Sequence, residues 1–351
     1  PEPAKLAAWA RRDCGLIAPH YGLRFSDAAP TTPEAGQLNR AADGLAGLSA
    51  DDFVDRVGAM SEALWSGTLD PASEPSTAAL SASAAGSQRL AELGHYSGAT
   101  FYYGGEFYWG VDRLFHLEQR LMDLGLRTDG GTDYLVPRPE IGVDGVDAAH
   151  LTLHFYPSLN SPYTSIIYDK TLAMVNACGL RLEHKPVLPM VMRGVPATSR
   201  KGAYILFDTR REAEHLGVPF GPVHMPVGTP TRRAYSLFAW ARAQGRETAF
   251  MSTLLRLAFA EGVSLASRRG MRRAVTEAGL DWAEAAGIIG NDDWQAPTAR
   301  NQREMVEEMG LWGVPSYRLT GPAGEPDLAV WGQDRLWLVA AEIRRRAGGS
   351  V

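Results

Sequence analysis

The sequence predicts an α/β protein in which one structural unit is used twice, the first copy incomplete at its N-terminus. Three observations predict it. Residues 109–114 read Trp-Gly-Val-Asp-Arg-Leu and residues 331–336 read Trp-Gly-Gln-Asp-Arg-Leu, each after a candidate hairpin and each opening a C-terminal helix. Just upstream, Gly94-His95-Tyr96-Ser97-Gly98-Ala99-Thr100-Phe101 parallels Gly310-Leu311-Trp312-Gly313-Val314-Pro315-Ser316-Tyr317. Further upstream, Asp13 stands to Tyr21-Gly22-Leu23-Arg24-Phe25 as Asp208 stands to Leu216-Gly217-Val218-Pro219-Phe220. Matched segments in the same order are the mark of an internal repeat.

In the first copy, residues 1–127 read as mostly helical up to a hairpin near 99–109. The first stretch is an amphipathic helix stopped by Gly22. Ser49 before Ala50-Asp51-Asp52-Phe53 has the chemistry of an N-cap, with acids in the first turn where the helix dipole favours them. Residues 70–87, rich in Ser, Ala and Pro, read as a loop leading to a short helix. Gly104-Gly105 suits the tight mirror-image turn of a two-residue hairpin. The hairpin aromatics, Phe101, Tyr102, Tyr103, Phe107, Tyr108 and Trp109, read as core and interface at strand spacing. Residues 128–147, with Gly-Gly, Val-Pro-Arg-Pro and Val-Asp-Gly, have no period and read as an extended linker.

Residue 1 pairs with roughly residue 196, so residues 149–195 have no counterpart in the first copy. Either the ancestral copy decayed or the sequence begins after a strand–helix–strand that precedes it. The second reading is preferred, because a half-sheet with an exposed edge makes a poor independent domain.

The second copy opens with a strand at 150–156, a Pro-containing turn at 157–162, a helix at 163–178 and a strand at 180–186. A long helical region follows from about 203 to 309. Arg232–Gly245 and Thr248–Gly262 show helical apolar spacing, and Asp281-Trp282-Ala283-Glu284 reads as a capped start. Gly310 ends the last helix of the region. A hairpin at 316–331, turning through Gly321-Pro322-Ala323-Gly324, and a helix at 335–346 complete the unit. A strand–helix–strand, a helical insertion, then a hairpin and a helix is the thioredoxin topology with an inserted helical subdomain. The fold class is therefore α/β: two tandem thioredoxin-like domains, each with a helical insertion, the first (1–127) incomplete and degenerate, a linker (128–147), and a complete second domain (148–351).

Composition narrows the function. A net charge of −5 gives no sign of nucleic-acid binding, and Arg344-Arg345-Arg346 reads as the solvated end of a helix, where cations complement the dipole. No stretch approaches the length of a membrane span. The two cysteines, Cys14 and Cys178, are far apart and form no Cys-x-x-Cys pair, a usage that fits a reducing cytoplasm. The eight histidines form no ligand-spaced cluster, so no metal site is expected.

Asn160-Ser161-Pro162-Tyr163 at the strand-to-helix turn resembles the Ser-Pro-Tyr motif of 2-hydroxychromene-2-carboxylate isomerases and kappa-class glutathione transferases. These are DsbA-like thioredoxin-fold enzymes in which Ser replaces the redox Cys. Lys201-Gly202-Ala203-Tyr204-Ile205-Leu206-Phe207-Asp208, Trp312-Gly313-Val314-Pro315-Ser316 and Gly332-Gln333-Asp334-Arg335-Leu336 fit the same family; the likeness covers residues 149–347 well and 1–127 more weakly. It implies that Ser161 holds and activates a glutathione thiol, that Val314-Pro315 is a cis step whose backbone clamps the peptide, and that Asp334 beside Gln333 reads the γ-glutamyl amine. A hydroxyl at a helix N-terminus, aided by the dipole, favours a bound thiolate. Taken alone, Ser161 before Pro is a plain N-cap, Pro315 an ordinary strand start and Asp334 a helix-stabilising acid.

The chain also departs from the family. Ser158 stands where an acid is usual, three positions before Ser161, and no Asn matches the loop Met192–Lys201, where Arg193 or Ser199 is the available substitute. Ala99 stands where Pro315 stands in the second copy, so the first copy lacks the clamp and reads as a structural partner in an internal pseudo-dimer, with the chain itself a monomer. The expected function is a glutathione-dependent isomerase or transferase, using glutathione or another low-molecular-weight thiol on a small aromatic or conjugated electrophile. The alternatives are a non-catalytic thiol- or peptide-binding protein and, given the fold's wider kinship, a disulfide oxidoreductase.

Overall fold

The structure, a computed structural model, describes residues 3–25, 33–195, 197–322 and 325–348. The chain divides into two compact units, residues 1–138 and 139–351.

The first unit is helical apart from one hairpin among its described residues. It comprises α1 (Pro3–Ile17), α2 (Ala35–Leu45), α3 (Ala50–Trp65), α4 (Thr77–Leu93), a ribbon of β1 (Thr100–Tyr103) and β2 (Glu106–Trp109), and α5 (Leu114–Asp123). Ser49 caps α3 as expected, its side chain accepting from the Asp52 N–H at 3.1 Å. The expected loop stands at residues 70–76, but the short helix after it is corrected: α4 is 17 residues long and capped by Ser76. Its Ala, Leu, Gln and Glu favour helix, and Ser81, Ser83 and Ser87 cost it little because they face water. Gly104 and Gly105 both have positive φ (57° and 89°), the mirror-image turn that joins β1 to antiparallel β2. Of the hairpin aromatics only Tyr108 is buried; Phe101, Tyr102 and Trp109 are exposed, because a two-stranded ribbon lacks a second layer to cover them. The thioredoxin-like reading of 1–127 therefore narrows to a hairpin, a short 3-10 turn (Val111–Arg113) and a helix behind a set of helices. No larger sheet stands among the described residues of this unit.

The second unit has the mixed sheet. Its strands are β3 (Thr152–Tyr156), β4 (Arg181–His184), β5 (Ser316–Thr320) and β6 (Leu328–Trp331), in the order β4-β3-β5-β6. β4 runs parallel to β3, with α6 (Pro162–Ala177) as the crossover between them; β5 and β6 are antiparallel neighbours. β3 is central, and Leu153, Phe155 and Tyr156 are fully buried. Phe155 stacks on Tyr317 across the β3–β5 pair, centroids 5.2 Å apart. The insertion between β4 and β5 holds α7 (Ser199–Leu216), α8 (Thr229–Tyr235), α9 (Phe238–Ala243), α10 (Glu247–Phe259), α11 (Arg268–Glu277), α12 (Trp282–Ile288) and α13 (Gln295–Arg303). Asp281 caps α12, accepting from the Glu284 N–H at 2.8 Å. After a π turn (Glu304–Glu308), Gly310 takes a left-handed φ of 65°, and α14 (Leu336–Arg346) closes the unit. Of the loop Gly321–Gly324, residues 323 and 324 lie outside the described residues.

α6 is apolar on nearly all sides because it lies between the sheet and the insertion, packed on both α7 and α10. One buried polar chain ties the insertion to the sheet. Tyr168 Oη lies 2.9 Å from His184 Nε2, and His184 Nδ1 lies 2.9 Å from Glu247 Oε1. Burial pushes the Tyr168 phenol well above its ordinary pKa, so it keeps its proton within this chain. Arg242 closes the chain on Glu247 and donates to the His184 carbonyl at 2.9 Å.

Among the described residues no helix is long and apolar enough to cross a membrane, and no group of three His, Cys, Asp or Glu is arranged to hold a metal ion.

Candidate functional site

Ser161 is the N-cap of α6, with Pro162 at the first helical position. Its Oγ accepts from the Thr164 N–H at 3.1 Å and reaches the Val314 carbonyl at 3.3 Å. The side chain thus does what a cap does and also touches the segment before β5. The Val314–Pro315 peptide is cis. The structure therefore brings Ser161, Val314 and Pro315 together at the C-terminal end of β3. Ser161 is 6% exposed, so a group arriving there leaves water.

Gly313 precedes this step and lies flat against the Trp331 indole: an added Cβ would sit 1.7 Å from Trp331 Cε2. Only glycine permits that approach, which seats the Val314–Pro315 segment on β6. Ser316 Oγ donates to the Gly313 carbonyl at 2.8 Å and closes the turn.

Gln333 and Asp334 stand on the 3-10 turn Gln333–Arg335, which packs against α6. Gln333 is buried, and its Nε2 donates to Glu212 Oε2 at 2.7 Å. Asp334 keeps a fifth of its side-chain surface, and its own carbonyl accepts from Arg335 Nη1 at 3.0 Å.

α7 was legible as a helix but not as the scaffold of the site. Buried Asp208 takes the Tyr163 hydroxyl at 2.7 Å and Arg211 at 2.6 Å. One turn later, buried Glu212 holds Gln333. Two acids at i and i+4 on one face of α7 thus fix both the Ser-Pro-Tyr turn and the Gln-Asp-Arg turn. Tyr235 of α8 was missed as well. Its hydroxyl donates to the Val187 carbonyl at 2.8 Å and accepts from the Leu159 N–H at 3.2 Å, bracing the chain two residues before Ser161. Its position in the apolar rhythm of α8 gave no sign of this.

The expected substitute loop, Met192–Lys201, contains residue 196, which lies outside the described residues. Arg193 ends a 3-10 turn (Met190–Arg193) and donates from Nη2 to the Trp312 carbonyl at 2.6 Å. Burial lowers its pKa to about 10. Ser199 begins α7, one residue after its cap, Thr198. Several polar atoms around the β3–α6 turn are buried without a hydrogen-bond partner: Ser158 Oγ, Asn160 Oδ1, Thr164 Oγ1 and Gln333 Oε1. Buried polar atoms are normally satisfied, so such a cluster marks a place where a polar ligand or water belongs.

Cys178 lies at the opposite end of α6, as its C-cap. Its thiol donates to the Met174 carbonyl at 3.1 Å, and burial pushes its pKa up, both of which suit a packed rather than a reactive sulfur.

The family comparison agrees with this fold. A DSBA-like thioredoxin domain profile matches residues 152–344. No curated protein matches the chain. Among solved structures, a 2-hydroxychromene-2-carboxylate isomerase is 18% identical with a TM-score of 0.47, over 57% of this chain and 100% of that one. A probable DsbA oxidoreductase from Streptomyces coelicolor is 18% identical with a TM-score of 0.45, over 57% and 92%. The cytosolic disulfide reductase DsbM from Pseudomonas aeruginosa, in a structure with GSH, is 19% identical with a TM-score of 0.39, over 56% and 99%. At these identities the three bear on no question of activity. The profile match spans more than half of the residues and coincides with the β3-to-α14 unit, and on that ground this chain belongs to the family of DsbA-like thioredoxin-domain proteins.

Proposed function

We propose that the second unit is a glutathione-dependent isomerase or transferase, in which Ser161 holds and activates the thiol of glutathione or a related small thiol. The observation that carries this reading is the position of Ser161 Oγ, at the first turn of α6 and 3.3 Å from the Val314 carbonyl beside a cis proline. Partial positive charge at the helix N-terminus and a hydroxyl donor both favour thiolate over thiol. The thiolate adds to an electrophilic carbon of a small aromatic or conjugated substrate. The adduct then rotates and expels the thiolate, which is isomerisation, or loses a different leaving group, which is transfer. In either route Ser161 keeps its proton and donates a hydrogen bond to sulfur. Val314 presents backbone to the extended peptide, and Gln333 and Asp334 face its amino end.

Dithiol–disulfide exchange needs a thiol at the start of this helix. The chain has two cysteines; Cys178 is buried at the far end of α6 and Cys14 belongs to the other unit. This argues against an oxidoreductase at this site.

The first unit reads, in the same proposal, as a diverged copy. In it Gly110 N–H donates to the Ala99 carbonyl at 3.0 Å, as Gly332 N–H donates to the Pro315 carbonyl at 3.0 Å, and the arginines that follow, Arg113 and Arg335, are both 5% exposed. Ala99 has a positive φ of 54° and no proline, which leaves this copy without the clamp.

The test is calorimetric titration with glutathione of the wild type, Ser161→Ala and Asp334→Asn, with thiolate read from ultraviolet absorbance. Binding with a thiolate signal that Ser161→Ala removes supports the reading. A wild type that binds glutathione without forming thiolate leaves a thiol- or peptide-binding protein, and one that binds no glutathione sinks the glutathione mechanism.

A further inference from the structure

Ser161 has one proton to donate, and the protein itself takes it. The hydroxyl reaches the Val314 carbonyl at 3.3 Å, while its oxygen accepts from the Thr164 N–H at 3.1 Å. A hydroxyl carries a single donor. A sulfur anion beside Ser161 therefore competes with Val314 for the same hydrogen. The exchange needs no movement of a heavy atom: the cap to Thr164 holds the oxygen, and only the O–H turns. Its cost falls on Val314. Among the described residues the Val314 carbonyl accepts from no donor but Ser161, and the Val314 N–H donates to no acceptor. Taking the hydroxyl away leaves a half-buried carbonyl without its partner, and an unsatisfied acceptor is costly.

One kind of ligand makes good both sides of the exchange. A chain that pairs with Val314 in antiparallel register donates its N–H to the Val314 carbonyl and accepts from the Val314 N–H. In a cysteinyl residue so paired, nitrogen and sulfur are three bonds apart, roughly 3–4 Å. The two oxygens they must reach, those of the Val314 carbonyl and the Ser161 hydroxyl, are 3.3 Å apart. The cysteinyl N–H then takes the place of the hydroxyl on the carbonyl as the hydroxyl turns to sulfur. A thiol without that N–H meets a hydroxyl that is still held.

We propose that the Ser161–Val314 hydrogen bond is a lock on thiol activation, opened by the amide N–H of a cysteinyl residue, so that the site forms thiolate on peptide thiols and leaves simple thiols protonated. This rests on the thiol reading and adds a condition to it: binding a thiol is not enough to activate it. Peptide recognition and sulfur activation are one event because they turn on one hydrogen. The proton lost by the thiol passes to solvent, and Ser161 keeps its own.

The probes are glutathione and its depsipeptide, in which an ester oxygen replaces the cysteinyl N–H. Each is bound to the full chain as wild type, Ser161→Ala and Ser161→Gly, with circular dichroism and melting to establish folding. Glycine caps a helix nearly as well as serine, so the second variant covers the loss of the cap. Calorimetry gives affinity, and thiolate absorbance against pH gives the acid dissociation constant of the bound thiol. In the wild type, glutathione is expected to ionise about ten- to a hundred-fold more readily than the depsipeptide, the range for an acceptor left unsatisfied. In both variants the two ligands should ionise alike, because there is no hydroxyl to release. A wild type that makes both ligands equally acidic overturns the lock and leaves the thiol reading standing. An advantage of glutathione that persists in Ser161→Ala and Ser161→Gly does the same, since it would belong to the N–H itself. A depsipeptide that binds none of the three proteins also overturns the lock, which requires it to be held with its sulfur protonated. If the wild type binds neither ligand, or makes neither more acidic than in solution, the thiol reading falls and the lock with it.

Discussion

The contact between Gly313 and Trp331 gives the sharpest quantitative prediction. In Gly313→Ala the new methyl would lie 1.7 Å from Trp331 Cε2 and 1.9 Å from both Cζ2 and Nε1. Carbon atoms rest about 3.5 Å apart, so something must retreat by about 2 Å. The ring cannot retreat with its backbone, because Trp331 pairs with Ser316 in the β5–β6 ladder. Either the indole swings out of its rotamer or the 312–315 segment lifts from the sheet. Overpacking of this kind costs about 1–3 kcal/mol, and we expect the upper end because the obstacle is a rigid ring. The assay is a double-mutant cycle in urea, followed by far-ultraviolet circular dichroism. Gly313 does not have positive φ, so in a Trp331→Ala background the same substitution is expected to be neutral or to stabilise by a few tenths of a kcal/mol to about 1 kcal/mol. The coupling between the two sites should therefore be about 2–4 kcal/mol. Gly313→Ala should also weaken glutathione binding, since the displaced segment carries the Val314 carbonyl that Ser161 touches. A Gly313→Ala cost that is the same in both backgrounds would refute the argument.

Four further outcomes follow from the same geometry. Ser161→Cys should place a thiol at the start of α6 with a pKa of about 7 or lower, read from the pH dependence of alkylation; a value at or above about 8.5, that of a free cysteine, would show that the helix start does not favour sulfur anions. Tyr235→Phe leaves the Leu159 N–H and the Val187 carbonyl buried without their partner, and should cost about 1–3 kcal/mol in urea denaturation while weakening thiol binding; an unchanged midpoint would mean the turn does not need the brace. Burial pushes Glu247 up, but the hydrogen bonds from His184 and Arg242 outweigh it, so its folded pKa lies below the ordinary carboxylate value. A depressed carboxylate contributes stability above its unfolded pKa and loses it as pH falls through the folded one. Glu247→Gln should therefore lower stability near neutral pH and flatten the loss seen on acidification, measured as urea midpoints across that range; an unchanged acid slope would count against this. Gly202→Ala in α7, where an added methyl meets nothing within 4 Å, should instead stabilise by about 0.5–1 kcal/mol, and a destabilised melt would contradict the open space around it.

The β3–α6–β4 unit was plain in the sequence because its signals are local. A short apolar strand, a Pro at the first helical position and a Gly past the helix end each follow from chemistry within a few residues. α4 was misjudged for the opposite reason: its Ser and Ala content resembles a loop, and the N-cap that starts it is a single residue, Ser76. Ser161, Val314 and Pro315 were marked by resemblance, and their meeting spans 153 residues, which no periodicity reports. The pairings of Tyr163 with Asp208 and of Gln333 with Glu212 span 45 and 121 residues. An acid on an amphipathic helix looks the same in sequence whether it faces water or a buried partner, so these two were invisible until the helix was packed. Arg193 stood in a candidate loop, but its bond to the Trp312 carbonyl spans 119 residues and is visible only in three dimensions.

One consequence of the oxygen at Ser161 concerns the surroundings of the molecule rather than its interior. A hydroxyl neither pairs with a cysteine nor climbs the oxidation ladder that a thiolate would enter at the same helix start. The turn therefore keeps one covalent state in an oxidising or a reducing medium. On the proposed reading, only the small thiol that visits it changes with redox poise, and oxidation of that thiol silences the site by emptying it and leaves the protein unaltered. Such a protein would follow the supply of reduced thiol as an occupancy, reversible as fast as the ligand exchanges, with no reductase needed to reset it.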